Sequence, residues 1–178
     1  MTSLLTTLGP LFLTLTSQPA PEAVPTPDTG PLAAVQEDEK KEERSDLKHL
    51  NLGKEGLALD GYDPVAYFAE GGGKAKEGSK KITLRHGGVL YRFASEKNRE
   101  LFEKTPSKFE PKYGGWCAYA MALDEKVEVD PKSFLVTNGE LKLFYKGFLN
   151  DTRKKWQKEP KVLEPKADAN WKKLTEKK

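Results

Sequence analysis

The strongest fold signal in this chain is the stretch Phe134-Leu135-Val136-Thr137-Asn138-Gly139-Glu140-Leu141-Lys142-Leu143-Phe144. Its Asn-Gly pair supplies the two positive φ angles that a two-residue hairpin turn requires, and an apolar run stands on each side of that pair. In the second run Leu141 and Leu143 alternate with Lys142, which is typical of a strand with one face on a core and the other in solvent. The stretch therefore predicts an antiparallel β-hairpin whose two leucines face the core.

A second hairpin and a helix are predicted upstream of this stretch. Residues 82–85 and 89–93 are β-type runs on either side of a His86-Gly87-Gly88 turn. Ser95 then stands where a helix N-cap belongs, ahead of acidic and apolar residues. We expect the helix to end near Thr105, because Pro106 cannot continue it.

The remaining segments predict short elements. We expect a helical turn over residues 65–69, a loop that leads into a buried segment over 113–120, a helix from Asp151 through Trp156, and a last helix over 167–173. We find no internal repeat and no second domain in the pattern. The fold class expected is α+β: a small single domain with β-hairpins and short helices packed on a small antiparallel sheet.

The N-terminal region differs from the rest of the chain. Residues 1–20 carry no charge, and their apolar run extends from Leu4 to Leu15. That run is too short to span a bilayer, which needs about 20 apolar residues, so we interpret residues 1–20 as a signal-like segment. No Lys or Arg precedes Leu4, so a misplaced start or an interfacial anchor stays open. Residues 21–46 are rich in proline and then in charge and predict a disordered spacer. Residues 47–178 form the predicted domain, exported to the periplasm or the cell exterior, with no transmembrane span in the mature protein.

Charge and cysteine content exclude several function classes. Residues 1–46 carry a net charge of −5 and the remainder +8, but Lys and Glu alternate instead of forming a stripe of one sign, so we expect no nucleic-acid binding. One cysteine allows no intramolecular disulfide, and two histidines with one cysteine exclude the ordinary zinc-site spacings.

Enzyme signatures are also absent from the sequence, which has no nucleophile elbow, phosphate loop, dinucleotide fingerprint or zinc-protease motif. Asp60 and Asp63 flank Gly61-Tyr62 and could be read as acid and base. An Asp that precedes Pro64 more often bonds nearby backbone N–H groups in a turn. We therefore expect a protein that is not an enzyme.

Four short motifs follow one another between residues 60 and 109. In chain order they are Asp63-Pro64-Val65, Tyr91-Arg92-Phe93-Ala94-Ser95, a helix with Asn98 and Phe102, and Pro106-Ser107-Lys108-Phe109. Their order resembles that of the YHS domain. The family pattern has an Asp-Pro-Val start, a strand ending in Phe-Cys-Ser, a helix, and a Pro-x-Lys-Tyr end. The similarity covers about residues 60–109.

Three longer strings resemble the stand-alone exported branch of that family. They are Gly61-Tyr62-Asp63-Pro64-Val65-Ala66-Tyr67-Phe68, Tyr113-Gly114-Gly115-Trp116-Cys117-Ala118-Tyr119 and Ala167-Asp168-Ala169-Asn170-Trp171. With them the similarity extends over about residues 47–174. The resemblance implies an exported, non-catalytic binding or accessory protein.

The resemblance also implies a link to metal. Members of the family accompany copper-transporting ATPases and metal-dependent oxygenases. Several carry cysteines at the strand end and in the helix, and cysteine thiolates suit Cu(I). This chain has Ala66, Ala94 and Asn98 at those places, so its cofactor stays unknown, with copper or another transition metal as the candidate. Cys117 remains as a candidate metal ligand or as a buried core thiol.

Aromatic and acidic side chains are candidates for lining a pocket. They are Tyr62, Asp63, Tyr67, Tyr91, Tyr113, Trp116 and Tyr119. The alternative is that at least half of the aromatic ones belong to the core. The sequence thus leaves two function classes: a binding or accessory module related to metal, or a structural or protein-interaction domain with no metal site. The partner, a protein or a metal ion, is not specified.

Overall fold

The computed structural model describes residues 44–176. The signal-like segment and residues 21–43 of the predicted spacer lie outside the described residues. Arg44 already contacts the domain, since its guanidinium donates to the carboxylates of Asp46 at 2.7 Å and Glu110 at 2.8 Å. Packing is therefore seen three residues before the predicted boundary at Leu47.

Helices and strands mix along the chain, which confirms the α+β class. They are β1 (Ser79–His86), β2 (Val89–Phe93), α1 (Glu96–Lys104), α2 (Pro106–Phe109), α3 (Ala118–Met121), β3 (Asp130–Thr137), β4 (Glu140–Phe144), α4 (Thr152–Lys158) and α5 (Pro160–Glu176). The strands form two separate two-stranded sheets, where the sequence predicted one. Over residues 44–176 no helix combines the length and the apolar character needed to cross a membrane.

The first hairpin and its helix form as predicted. β1 and β2 pair antiparallel, and the pairing closes at His86 with Val89 around two glycines with positive φ. The Ser95 hydroxyl accepts a hydrogen bond from the backbone N–H of Asn98 at 3.2 Å, which satisfies one of the free donors at the start of α1. These contacts confirm the hairpin and the cap.

The second hairpin is also confirmed. β3 and β4 pair antiparallel, and Thr137 faces Glu140 across the turn. Asn138 and Gly139 have φ values of 55° and 76°, as the two-residue turn requires. Leu141 and Leu143 are fully buried in a first core, which also holds Val65, Phe93, Phe102 and Phe109.

The other face of β4 is buried too, and here the expected alternation with solvent was wrong. Phe144 lies in a second core with Tyr113, Met121, Trp156 and Ala167. Lys142 shares that face and is 0% exposed. Its ammonium is held by two carboxylates, Glu164 of α5 at 2.6 Å and Glu140 at 3.0 Å. The strand therefore lies between two cores, and ion pairs replace the water that the pattern implied.

The C-terminal helices begin where capping residues allow. The Asp151 carboxylate caps α4 by accepting from the Lys154 N–H at 3.3 Å. The prediction that the last helix starts at residue 167 was wrong, because α5 begins at Pro160, a position where proline loses no hydrogen bond. Pro165 lies inside α5, and the burial of Leu163 and Ala167 on one side of the helix offsets the lost hydrogen bond.

Candidate functional site

The Asp63 carboxylate is the centre of a closed hydrogen-bond network. It is 0% exposed. Its Oδ1 accepts from the backbone N–H groups of Val65 at 2.8 Å and Ala66 at 3.2 Å. Its Oδ2 accepts from the N–H of Ala94 at 2.8 Å and the side-chain amide of Asn98 at 2.6 Å. Four donors thus satisfy a buried charge and join the Asp-Pro turn to the end of β2 and to α1.

This network occupies the place that the family resemblance assigns to cysteine ligands. Ala66, Ala94 and Asn98, the residues at those positions, all surround Asp63 and donate to it. The alanines offer no side-chain donor atom to a metal, and both carboxylate oxygens already accept two hydrogen bonds each. The residues present therefore do not fit a metal ion at this position.

Cys117 lies in a different part of the fold from Asp63 and is buried. Its side chain is 0% exposed. The sulfur accepts from the Tyr145 N–H at 3.3 Å and lies 3.4 Å from the Thr152 hydroxyl. Within residues 44–176, no three His, Cys, Asp or Glu side chains come together in a way that could hold a metal ion. The geometry suits a core thiol bonded to its neighbours.

The structure distributes the seven candidate pocket residues over both cores. Besides Asp63, four of them do not line the cleft that is described next. Their contacts are Tyr62 OH to Glu77 at 3.3 Å, Tyr67 OH to the Pro131 carbonyl at 3.0 Å, Trp116 Nε1 to the His49 carbonyl at 2.7 Å, and the Tyr119 ring to Lys155 Nζ at 5.6 Å. Tyr91 and Tyr113 are brought together at one cleft.

That cleft has a volume of about 260 Å³ and lies between residues 44–59, β2, α2, the Lys112–Gly115 turn and α5. Its apolar wall is built from side chains of several elements: Leu50, Leu52, Leu59, Val89, Pro111 and Trp171. Its polar residues are Arg44, Asp46, Asn51, Tyr91, Ser107, Glu110 and Lys112. An apolar wall with a few convergent polar groups is the usual composition of a small-molecule site.

The polar edge of the cleft is fixed by a cluster around Glu110. The Tyr91 hydroxyl donates to the Glu110 carboxylate at 3.1 Å, and Arg44 donates to the same oxygen at 2.8 Å. Burial and the nearby charge of Glu110 raise the pKa of Tyr91, so its phenol stays protonated. Burial disfavours the charge on Arg44, but the hydrogen bond to Asp46 and the charge of Glu110 outweigh it and raise the pKa of Arg44. The polar edge of the cleft therefore presents the neutral phenol of Tyr91 beside Arg44, whose charge is balanced by the carboxylates of Asp46 and Glu110.

The opposite side of the cleft is held by α5. Tyr113 donates its hydroxyl to Asp168 at 3.0 Å, and Lys112 pairs with the same carboxylate at 3.3 Å. Gly114 has a φ of 59°, and a Cβ there would lie 2.6 Å from the Trp171 ring. Only glycine permits this close approach of backbone and indole, which forms one wall of the cleft.

Sequence reasoning missed Arg44 and Glu110. Arg44 falls in the charged stretch assigned to the spacer, and Glu110 falls in a linker between helix and aromatic segment. Their contact joins residues 66 positions apart, and no local pattern reports such a pairing. A charge next to a predicted domain boundary was the only signal that pointed to Arg44.

No family model, no curated protein and no solved structure matches this chain in the comparisons. The likeness to the YHS domain therefore rests on the sequence motifs alone.

Proposed function

We propose that this chain is an exported, non-catalytic binding module of YHS type whose ligand lies in the cleft between Tyr91 and Tyr113. The observation that carries the proposal is the cleft itself, an apolar wall facing a fixed polar edge. The proposed export is supported by the apolar run from Leu4 to Leu15 within the uncharged residues 1–20. The non-catalytic role is supported by the lack of enzyme motifs in the sequence.

The cleft chemistry favours a small ligand without a net charge. Arg44 is compensated by Asp46 and Glu110, and Lys112 by Asp168 and Glu140, so the cleft lacks the excess of one sign that recruits a charged ligand. Its volume is close to the lower end of the roughly 300–1,000 Å³ found for ligand pockets. We expect a ligand with an apolar body and one hydrogen-bonding edge that meets Tyr91 and Glu110.

Binding in the cleft is tested by backbone NMR shifts during a screen of small neutral aromatic compounds. Binders should shift amides around Asn51 and Gly115, which line the cleft. Ser107 lies exposed at the rim, so Ser107→Phe should obstruct the opening and abolish the shifts. Lys104→Phe places the same ring on the neighbouring helix outside the cleft and should leave them intact. Shifts that persist in Ser107→Phe, or no binder at all, would favour a structural domain instead.

The metal alternative is tested at Cys117. A metal ligand must be reachable as a thiolate, and bound metal should slow its reaction with a thiol reagent. Because Cys117 is buried and bonded to Tyr145 and Thr152, we expect slow labelling that Cu(I) does not change. Fast labelling that Cu(I) suppresses would restore the metal-related role.

A further inference from the structure

A short loop between β4 and α4 exposes two adjacent large apolar side chains. In this tip loop, residues 146–151, Phe148 is 101% exposed and Leu149 is 92% exposed. Scattered single apolar residues on a surface need no explanation. Two neighbouring side chains that touch almost nothing in their own domain do need one.

The tip loop is held in place at its base. Lys146 and Asp151 form an antiparallel bridge, and the Gly147 N–H donates to the Asn150 carbonyl at 2.9 Å. The Thr152 hydroxyl and N–H both donate to the Tyr145 carbonyl, at 2.7 and 3.1 Å. The apolar pair therefore projects from a fixed base, and its exposure does not arise from a frayed end.

The segment that carries the pair, together with α4, is rich in positive charge. Residues 146–158 hold five bases and one acid, and the bases are Lys146, Arg153, Lys154, Lys155 and Lys158. Among the ion pairs of residues 44–176 none includes any of these five. The one acid, Asp151, already caps α4. Thr152 and Trp156 bury the inner side of α4, whereas Lys154, Lys155 and Lys158 are exposed. Arg153 is half-buried, and its Nε is buried.

We infer that the tip loop is a membrane-contacting element that inserts Phe148 and Leu149 into the headgroup region of an anionic lipid surface, with the bases around it binding lipid phosphates. Apolar side chains on an interfacial element and a basic rim are the two contributions that bring a peripheral protein to such a surface.

A protein partner fits these observations less well. Complete burial of both side chains would remove about 400 Å², since an aromatic side chain buries roughly 150–250 Å², whereas a stable interface needs about 800 Å² from each partner. A lipid surface needs no such area and no shape complementarity. The bases also match the negative charge of an anionic bilayer without a specific register.

Vesicle partitioning of the full chain tests the inference. We expect binding to phosphatidylserine-containing vesicles to fall at least about tenfold in Phe148→Ser/Leu149→Ser and about fivefold for each base removed in Lys154→Gln/Lys158→Gln. Leu123→Ser is the matched control, because Leu123 is an exposed leucine beside Asp124 and Glu125 and should not insert. Equal binding of all variants would overturn the inference.

A fluorescent probe on the loop itself distinguishes membrane contact by the loop from membrane contact by residues 1–43. An environment-sensitive fluorophore on Leu149→Cys should shift to the blue with anionic vesicles and not with phosphatidylcholine alone, while one on Thr83→Cys of β1 should not shift. A blue-shifted signal before any vesicle is added would show that a segment of this chain covers the loop, and no shift with either vesicle would leave a protein as its partner. Either result would overturn a lipid contact.

Discussion

The side-chain amide of Asn98 donates a 2.6 Å hydrogen bond to Asp63 across 35 residues of sequence, and both side chains are buried. Asn98 lies in α1 at a position where the resemblance to the YHS domain implies a cysteine. The amide supplies one of the four hydrogen bonds that satisfy the buried carboxylate. The arrangement stabilises the fold by joining the Asp-Pro turn to α1.

Asp63→Asn should destabilise the domain by about 2–3 kcal/mol, because the new amide nitrogen would face N–H donors and leave at least one of them without a partner. Asp151→Asn is the matched control, since asparagine caps helices about as well as aspartate and the expected change is under ~0.5 kcal/mol. Urea denaturation of both variants checks the difference. Similar midpoints would mean that the Asp63 network carries little of the stability.

Gly139→Val should lower the free energy of unfolding by about 1 kcal/mol or more, because a β-branched residue is strained at the φ of 76° found there. No atom lies within 4 Å of the Cβ position, so a steric clash with the rest of the fold does not contribute. Gly139→Asn should be milder, since asparagine tolerates this conformation. Thermal melting measures both, and an unchanged midpoint in the valine variant would contradict the turn geometry.

The buried ammonium of Lys142 predicts an asymmetric response to mutation. Lys142→Met should change stability by less than about 1 kcal/mol or increase it, because the carboxylates of Glu140 and Glu164 retain access to water. Glu140→Gln/Glu164→Gln should cost about 3 kcal/mol, since it leaves the buried cation unpaired. Chemical denaturation measures the free energy of unfolding of both variants. A Lys142→Met variant less stable than Glu140→Gln/Glu164→Gln would refute the prediction.

Alkaline pH should unfold the domain through its buried phenols. Burial is the largest cause that raises the pKa of Tyr67, Tyr91 and Tyr113, and Tyr62, Glu110 and Asp168 respectively add to it. The native state then holds these protons more tightly than the unfolded state. Their stabilisation is complete below the unfolded pKa of about 10 and is lost as pH rises above it.

Tyrosinate absorbance during an alkaline titration measures this effect. Three of the six tyrosines should stay protonated until circular dichroism reports loss of the fold. Tyr91→Phe should flatten the alkaline fall in stability while leaving the hairpin intact. Ionisation of all six tyrosines before unfolding would show that the phenols are accessible.

Local chemistry made the hairpins and caps predictable from sequence. Asn138-Gly139 determines its own turn, and Ser95 and Asp151 determine their helix starts through contacts within three residues. Such features need no knowledge of the rest of the fold. The same holds for the turn role of Asp63, whose bonds to Val65 and Ala66 are local.

Long-range pairing accounts for what the sequence did not predict. The sequence pattern predicts that Lys142 is exposed to solvent. In the structure it is buried, because α5 places Glu164, 22 positions later, beside its ammonium. The cleft likewise needs Arg44, Glu110 and Trp171 from distant parts of the chain. Pro165 predicts a helix break locally, yet packing of its neighbours overrides that preference. Tertiary contacts decided each of these cases.

The division of the strands into two hairpins bears on how the molecule avoids self-association. Isolated bridges reach β2 and β4 from neighbouring segments, and among residues 44–176 none reaches β1 or β3. Those two outer strands carry exposed Lys80 and Lys81 and, in β3, Pro131 and Lys132, and both have irregular pairing. Charge, proline and broken register make a strand a poor template for a further chain. The residues of the two outer strands thus protect the sheet edges against aggregation.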